Sequence, residues 1–157
     1  MSGVGGSRRT ITPEEARSLG TDVAHNEMDN GQRRFRLVNE DGSSYIRTEG
    51  SDKGAWENSH YHKQVHELYI VERGWIVYAE LNDRGQAAFT YLSKGGTIDV
   101  KPITIHNIYM PAFAVIHVVK YTGGSTLKPD WFASPELDDV TKGISEDKLL
   151  QSLNKDR

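Results

Sequence analysis

The sequence contains no cysteine among its 157 residues. Disulfide bonds, thiolate metal ligands and a cysteine nucleophile are therefore excluded. A reducing compartment fits this composition, so we expect a cytoplasmic protein. No apolar run approaches the roughly 18 residues that cross a bilayer, and the opening segment MSGVGGSRRT has no apolar stretch after its positive charges. We therefore expect a flexible lead-in there, with neither a secretory signal nor a membrane partner.

Concentrated positive charge is also missing. The chain has 19 lysines and arginines against 22 acidic residues, which gives a net charge of −3, and the basic residues are scattered. Nucleic-acid binding needs a concentrated basic face, so we expect no nucleic-acid partner. Apolar residues make up 36% and charged residues 26% of the chain, which is typical of a globular domain with a single core.

Turn signals divide the middle of the chain into short segments that favour β-strands. Tetrapeptides such as NEDG (39–42) and NDRG (82–85) separate stretches rich in β-branched and aromatic residues. Strands that recur with turn signals every eight to twelve residues or so predict an antiparallel sandwich or barrel. The sequence shows no internal repeat, and we therefore expect one all-β domain.

Two short helices are predicted at the ends of this β region. In TPEEARSLG (12–20), Thr12 is a suitable cap and Pro13 suits the first helical position. In SEDKLLQSLNKDR (145–157), Ser145 is the predicted cap of a helix with a one-sided leucine stripe. Such stripes are usually packing surfaces, so both helices are expected to cover the main fold without a chemical role.

These signals predict three parts of the chain. The segment GGSTLKPDWFASPELDDVTKG (123–143) resembles a loop that wraps around the outside. We expect a flexible N-terminal segment with a short helix over residues 1–32, a barrel over 33–124, and a loop with a C-terminal helix that packs on the barrel over 125–157.

Three of the six histidines fall within seven residues, in SHYHKQVHE (59–67). His60 and His62 are separated by one residue, so on a strand both side chains leave the same face, about 6.6 Å apart. Two imidazoles placed in this way can bind one cation at about 2.1 Å each. Glu67 begins the next strand, and a barrel would bring His106 alongside. Such donors suit a divalent first-row metal, although exposed strands also tolerate alternating polar residues.

The spacing continues on both sides of the histidine pair. The pattern G-x5-H-x-H-x4-E-x6-G over residues 54–74 resembles the first motif of the cupin superfamily at every position. The segment GGTIDVKPITIHNIYM (95–110) resembles the second motif, with Gly95 and His106 at the positions of its glycine and its histidine ligand. The positions that depart from the second motif are Lys101, Ile103 and Met110.

The resemblance covers about residues 33 to 121 and implies a small antiparallel jelly-roll barrel. It implies that the barrel interior holds one divalent ion of Fe, Mn, Ni, Co or Zn, bound by His60, His62, Glu67 and His106. It also implies a homodimer and a small oxygen-bearing substrate, with Glu67 and His106 as catalytic residues in dioxygenation, isomerisation or epimerisation, or decarboxylation. A non-catalytic cupin that binds or senses a small ligand such as a sugar is the alternative, and a purely structural barrel is a third reading.

Side chains that share a strand face with the donors are predicted to line the pocket. The alternation of faces cannot be extended beyond Gly74, because glycine can mark a bulge that shifts it by one residue. For His117 the alternative is a core histidine with satisfied hydrogen bonds, and His66 is expected on the face opposite Glu67. The predicted pocket residues are Tyr69, Val71, Tyr78, Ile108, Met110 and His117, with Trp75 as a further candidate. The nearest candidates to bind an anionic substrate are Arg47, Arg73 and Lys120, although long charged side chains usually face solvent.

Overall fold

The computed structural model of the protein describes residues 8–121 and 129–155. Most of these residues form antiparallel β-structure. The strands, numbered along the chain, are β1 (Thr21–Val23), β2 (Asn26–Glu27), β3 (Arg33–Asn39), β4 (Ser44–Glu49), β5 (Ala55–Trp56), β6 (His60–Tyr61), β7 (His66–Arg73), β8 (Trp75–Leu81), β9 (Ala87–Ser93), β10 (Thr97–Val100), β11 (His106–Met110), β12 (Val115–Tyr121) and β13 (Phe132–Ala133). The helices are α1 (Pro13–Ser18), α2 (Pro135–Thr141) and α3 (Glu146–Lys155).

The strands form two sheets. The first sheet has the order β1-β3-β4-β12-β7-β10, with β2 paired to β3. The second sheet has the order β13-β6-β11-β8-β9, with β5 paired to β11. Neighbours in both sheets run antiparallel, and many of them are distant in sequence. The predicted all-β antiparallel class with short flanking helices is therefore confirmed.

The main core lies between the two sheets. Buried side chains of the first sheet, such as Val71 and Ile116, pack with Ile76, Ile108 and other residues of the second sheet. A second cluster covers the opposite face of the second sheet, where Leu137 of α2 and Leu149 and Leu153 of α3 pack on the strands. The central strands β8 and β11 of the second sheet are thus buried on both faces.

A change of sheet at Gly74 divides the apolar segment 67–81 into β7 and β8. Gly74 has a φ of +77°, a conformation that residues with a Cβ rarely adopt. The alternation of faces also shifts by one residue here, because Val71 and then Ile76 and Tyr78 point into the core. This shift explains why strand parity could not be extended across the glycine.

The terminal helices follow their sequence signals, but the predicted loop contains more structure than expected. Thr12 accepts a hydrogen bond from the Glu15 backbone N–H at 3.2 Å and caps α1. The Ser145 hydroxyl accepts from the Lys148 backbone N–H at 3.3 Å at the start of α3. Within the segment 123–143, β13 and α2 correct the prediction of a loop, and residues 123–128 lie outside the described residues. Burial of Leu137 against the second sheet stabilises α2.

None of the helices in the described ranges combines the length and the apolar character needed to cross a membrane.

Candidate metal centre

Four donor residues meet between the two sheets. His60 lies on β6, His62 follows directly after that strand, and His106 begins β11 in the same sheet. Glu67 reaches them from β7 in the opposite sheet. One donor atom from each residue lies within 4.8 Å of all the others, and all four side chains are buried. The convergence of these residues, expected from their spacing, is present in the fold.

A backbone carbonyl group orients each of the three imidazoles. A carbonyl oxygen can only accept a hydrogen bond, so the Nδ1 atom beside it carries the proton. The Nε2 atom then keeps its lone pair, which is the form that binds a metal. The pairs are His60 Nδ1 with Asn58 O at 2.8 Å, His106 Nδ1 with Thr104 O at 2.8 Å, and His62 Nδ1 with Asp130 O.

The three Nε2 atoms face one carboxylate oxygen, Glu67 Oε1. The separation from this oxygen is 3.4 Å for His60 and 3.7 Å for His106, and His62 Nε2 is in contact with it. Burial raises the pKa of Glu67, and hydrogen bonds donated by His106 and His60 would lower it. In the tautomer set by the carbonyl groups the Nε2 atoms have no proton to donate, so an ionised Glu67 needs another positive charge beside it.

A divalent metal ion fits this arrangement. Burial lowers the pKa of His62, which favours the neutral imidazole over a protonated one. The buried Nε2 atom of His62 touches Glu67 Oε1 but has no proton to donate to it, so this atom has no hydrogen-bond partner among the described residues. Donor atoms bound to one ion at about 2.1 Å lie at most about 4.2 Å apart, so the widest separation must shorten slightly and the contact between His62 and Glu67 must open. His60, His62, Glu67 and His106 could therefore hold one ion.

Two tyrosines lie next to the donors in the interior. The Tyr69 hydroxyl is 3.3 Å from His106 Nε2, and the Tyr78 ring stacks on His106 with the ring centroids 6.0 Å apart. Tyr78 also donates a hydrogen bond to Glu80 at 2.8 Å. Burial raises the pKa of both phenols well above the ordinary value, so both can donate a proton but neither is a base near neutral pH.

The other predicted pocket residues divide between two faces. Val71, Ile108 and Met110 are buried in the interior core. Trp75 lies instead on the opposite face of the second sheet, stacked against Tyr91 and Tyr109.

His117 does not line the interior, which corrects its assignment to the pocket. Its Nδ1 atom is 2.6 Å from the Tyr45 hydroxyl and its Nε2 atom is 3.0 Å from the Glu72 carboxylate, on the outer face of the first sheet. The alternation along β12 is the reason, since Ile116 and Val118 on either side of it face the core. His66 stacks on Tyr121 with the ring centroids 5.2 Å apart, away from the donors.

The basic candidates also lie on different faces. Arg47 forms ion pairs with Glu49 and Glu72 at 3.2 Å each, next to His117 on the outer face. Arg73 is exposed at the end of β7. Lys120 is the candidate that lines a cleft together with His62.

Residues 129–131 contribute to the site without a signal in the sequence. The Asp130 carboxylate accepts hydrogen bonds from the backbone N–H groups of Lys63, Gln64 and Val65 at 2.8, 2.8 and 3.1 Å, which fixes the turn between His62 and Glu67. Trp131 stacks on His60 with the ring centroids 5.5 Å apart. Both residues lie about 70 positions away in sequence, so only the folded chain reveals these contacts.

The turn before His106 contains Ile103, one of the positions that depart from the second motif. Ile103 has a φ of +65°, the left-handed region that glycine adopts without strain. Its backbone N–H donates a hydrogen bond to the His62 carbonyl oxygen at 2.6 Å, which ties the two histidine-bearing segments together. The same turn presents the Thr104 carbonyl to the His106 ring.

Two surface clefts differ in their relation to the donors. The larger, of about 540 Å³, lies between the start of α3 and the segment around Gly54, and none of the four donors lines it. The second, of about 450 Å³, has His62, Lys120 and Trp131 in its walls. The smaller cleft is therefore the approach to the candidate metal centre.

Solved protein structures that resemble this chain include a cupin domain. The cupin domain of CENP-C from Drosophila melanogaster has a TM-score of 0.52 with this chain at 13% identity, over 63% of this chain and 75% of its own. The chain has the cupin fold.

Two larger proteins also contain this cupin fold. Oxalate decarboxylase from Bacillus subtilis has a TM-score of 0.58 at 12% identity, over 98% of this chain and 46% of its own. The capsular polysaccharide assembling protein CapF from Staphylococcus aureus has a TM-score of 0.55 at 16% identity, over 71% of this chain and 34% of its own. This chain spans less than half the length of either protein.

The sequence resemblance to cupins is thus matched at the level of the fold. No protein-family model matches the sequence, and no curated protein matches it either. Likeness at identities this low shows the fold alone, so the role of each site residue must be argued from its own contacts.

Proposed function

We propose that this cupin is a metal-dependent enzyme that acts on a small oxygen-bearing metabolite between its two sheets. The observation that carries the proposal is the common orientation of the three imidazoles. Each has its Nδ1 atom beside a carbonyl oxygen and its Nε2 atom facing Glu67 Oε1. Three imidazoles and a carboxylate suit Fe(II), Mn(II), Ni(II), Co(II) or Zn(II) and leave coordination positions open.

The protein residues have distinct parts in the proposed chemistry. A bound divalent ion supplies a Lewis acid for a substrate oxygen, or redox chemistry if the ion is redox-active. Glu67 and His106 are the proposed catalytic residues among the donors. Tyr69, beside His106 Nε2, can give a proton to charge that develops on the substrate. The apolar interior around Ile108 and Met110 excludes water from the reacting groups.

Dioxygenation, isomerisation or epimerisation, and decarboxylation are the candidate reactions. The fold is shared with an enzyme named oxalate decarboxylase and with a capsular polysaccharide assembling protein, which supports both small-acid and sugar chemistry. The predicted homodimer and the cytoplasmic location remain predictions, and sedimentation measures the first of them.

A binding or sensing module is the second candidate. This candidate is favoured because, in the described part of the chain, Glu67, Glu57 and Glu80 are each already engaged with another group. Glu67 is itself a donor, Glu57 pairs with Arg34 at 3.3 Å, and Glu80 accepts from Tyr78. A separate general base is therefore not evident in residues 8–121 and 129–155.

Metal analysis of the purified protein is the first test. We expect about one ion per chain, and His62→Ala should weaken metal binding at least tenfold, since even residues that only support metal ligands contribute 10- to 100-fold or so. His25→Ala is the matched control, because His25 lies near the surface and accepts a hydrogen bond from the Arg36 backbone N–H. Equal metal content in the two variants would refute the proposed centre.

Turnover distinguishes an enzyme from a binding module. The metal-loaded protein is screened with small keto acids, carboxylic acids and sugars under air and under nitrogen. Oxygen uptake would indicate a dioxygenase, and release of carbon dioxide would indicate a decarboxylase. An altered substrate without either gas change would indicate an isomerase or epimerase. Saturable binding of a ligand without any product would support the sensing module instead.

A further inference from the structure

The cleft of about 450 Å³ connects the protein surface with the candidate metal centre. Its walls come from the turn between β3 and β4, from the end of β12 and from residues 129–131. His62, one of the four donors, is also part of its lining. A ligand in this cleft would therefore reach the metal position beside His62.

Lys120 extends from β12 into this cleft. Ile116 and Val118, two and four residues earlier on the same strand, are buried in the interior core. Alternate residues share a face, so Lys120 also points inward. The register shift between β12 and β7 occurs at Val115 and Ile116, before this stretch, and does not change its parity.

The strand register places Lys120 directly beside a metal donor. Lys120 is the cross-strand partner of Glu67 on β7 and of Ser44 on β4. Cross-strand partners have Cβ atoms about 4.5–5.5 Å apart. Ser44 also lines the cleft, so an ammonium group and a hydroxyl group stand side by side on the wall that ends at the metal centre.

Lys120 lies near the Glu67 carboxylate but forms no ion pair with it in the part of the chain that the structure describes. Within residues 8–121 and 129–155, Lys120 forms no ion pair, although Arg47 and Lys142 do. The Asp130 carboxylate in the same cleft is occupied by three backbone N–H groups.

The charge of the loaded site is therefore positive. A divalent ion and Lys120 carry three positive charges against the two negative charges of Glu67 and Asp130, because the imidazoles are neutral when they bind a metal. An anion that enters such a partly enclosed site gains more from this field than it would in open water. The Trp131 indole, which also lines the cleft, offers a flat apolar surface to the rest of the ligand.

We propose that this cleft binds a small carboxylate-bearing substrate and that Lys120 is the specificity-determining residue that pairs with its carboxylate. The proposal rests on the proposed metal-dependent function. A narrower role for Lys120, as a counter-charge to Glu67, predicts a different result. In that role, removal of the lysine would tighten the binding of a cation and would leave the choice of organic ligand unchanged.

The test measures metal binding and ligand binding separately. Mn²⁺ is titrated into the metal-free protein, and free Mn²⁺ is followed by electron paramagnetic resonance. Glycolate and its neutral amide, glycolamide, are then added to the Mn²⁺-loaded protein. Faster relaxation of their carbon-bound protons in nuclear magnetic resonance reports binding near the ion. We expect the loaded wild-type protein to bind glycolate at least about tenfold more tightly than glycolamide, as a charge-assisted hydrogen bond implies.

The variants assign this preference to one residue. Lys120→Gln should lower glycolate affinity about tenfold or more, with glycolamide affinity and Mn²⁺ stoichiometry unchanged, and Lys120→Arg should retain the preference for the anion. Lys94→Gln removes the same charge from an exposed turn and should behave as wild type.

Two failures can be told apart. Absence of Mn²⁺ binding in the wild-type protein overturns the metal function and this inference with it. Normal Mn²⁺ binding with equal affinity for glycolate and glycolamide, or with undiminished glycolate affinity in Lys120→Gln, overturns this inference alone.

Discussion

Single residues of the site depend on partners that are remote in sequence. The His62 ring is oriented by the Asp130 carbonyl group, and the Asp130 carboxylate holds the turn that follows His62. One residue therefore fixes both the tautomer of a donor and the path of the chain from that donor to Glu67. A substitution at Asp130 should disturb the site without removing a donor atom.

Asp130→Asn provides a test of this anchor that depends on pH. Burial raises the pKa of Asp130, but the hydrogen bonds from the three backbone N–H groups outweigh it and lower the pKa below its ordinary value. A carboxylate with a depressed pKa stabilises the fold above its unfolded pKa of about 3.9, and this stabilisation is lost as the pH falls through the folded value. We expect Asn to lower the free energy of unfolding by about 1–2 kcal/mol at pH 7.

The expected cost of Asp130→Asn should shrink as the pH falls from the unfolded pKa of about 3.9 through the lower folded pKa, as urea denaturation over a pH series can measure. The control is Asp83→Asn in the exposed turn between β8 and β9, with an expected change under about 0.5 kcal/mol. A difference between wild type and Asp130→Asn that stays constant with pH would contradict the anchoring role of the carboxylate.

The donor residues could be predicted from sequence, but their surroundings could not. The one-residue spacing of His60 and His62 is enough to place both rings on one face, and Glu67 follows at a motif distance. Lys120 was predicted only as one of three basic candidates, because its place beside Glu67 depends on the pairing of β12 with β7. The pocket prediction for His117 is wrong, since β12 carries apolar residues on both faces and so gives no polar alternation that would reveal the parity.

At the level of structural elements, the two glycines of the first motif, Gly54 and Gly74, are required for different physical reasons. A Cβ atom at Gly54 would collide with the Tyr109 hydroxyl, which donates a hydrogen bond to Glu146 at 2.6 Å. That glycine is required by packing of the strand against the start of α3. Gly74 is required instead by its backbone conformation at the change of sheet. The sequence motif alone does not separate these two causes.

The turn at Ile103 is an element under strain. Ile103 is 73% exposed, so its side chain contributes little burial, and a left-handed conformation costs a β-branched residue about 1–2 kcal/mol. We therefore expect Ile103→Gly to raise the free energy of unfolding by about 0.5–1 kcal/mol, as measured by denaturant titration. Ile103→Ala keeps the Cβ atom and should not give this gain. Greater stability of Ala than of Gly at this position would show that the turn is unstrained.

At the scale of the whole molecule, the candidate centre joins the two sheets. His60, His62 and His106 belong to the second sheet or its edge, whereas Glu67 belongs to the first. Elsewhere in the interior the two sheets are held together by apolar packing, because the surfaces that they turn towards each other are apolar. The sequence could predict the two apolar faces from alternation, but the strand order required the folded chain, since β12 inserts between β4 and β7.

Removal of the metal should therefore lower the stability of the whole fold. An ion present at 100 times its dissociation constant stabilises the native state by about 2.7 kcal/mol. For a chain of this length that corresponds to a fall in Tm of about 5–10 °C on chelation, which scanning calorimetry can measure. The His62→Ala protein is the control, and its Tm should not respond to the chelator. An equal response of both proteins would indicate that the chelator acts elsewhere.

The stacking of Trp131 on His60 gives the protein a natural optical reporter. Of its three tryptophans, Trp56 and Trp75 belong to the cluster on the far face of the second sheet, whereas Trp131 touches a donor ring. An open-shell ion bound to His60 would quench the emission of Trp131 more strongly than that of the other two. Occupancy of the centre can thus be followed by fluorescence in the unlabelled protein, and a closed-shell ion such as Zn(II) would be distinguished by a weaker effect.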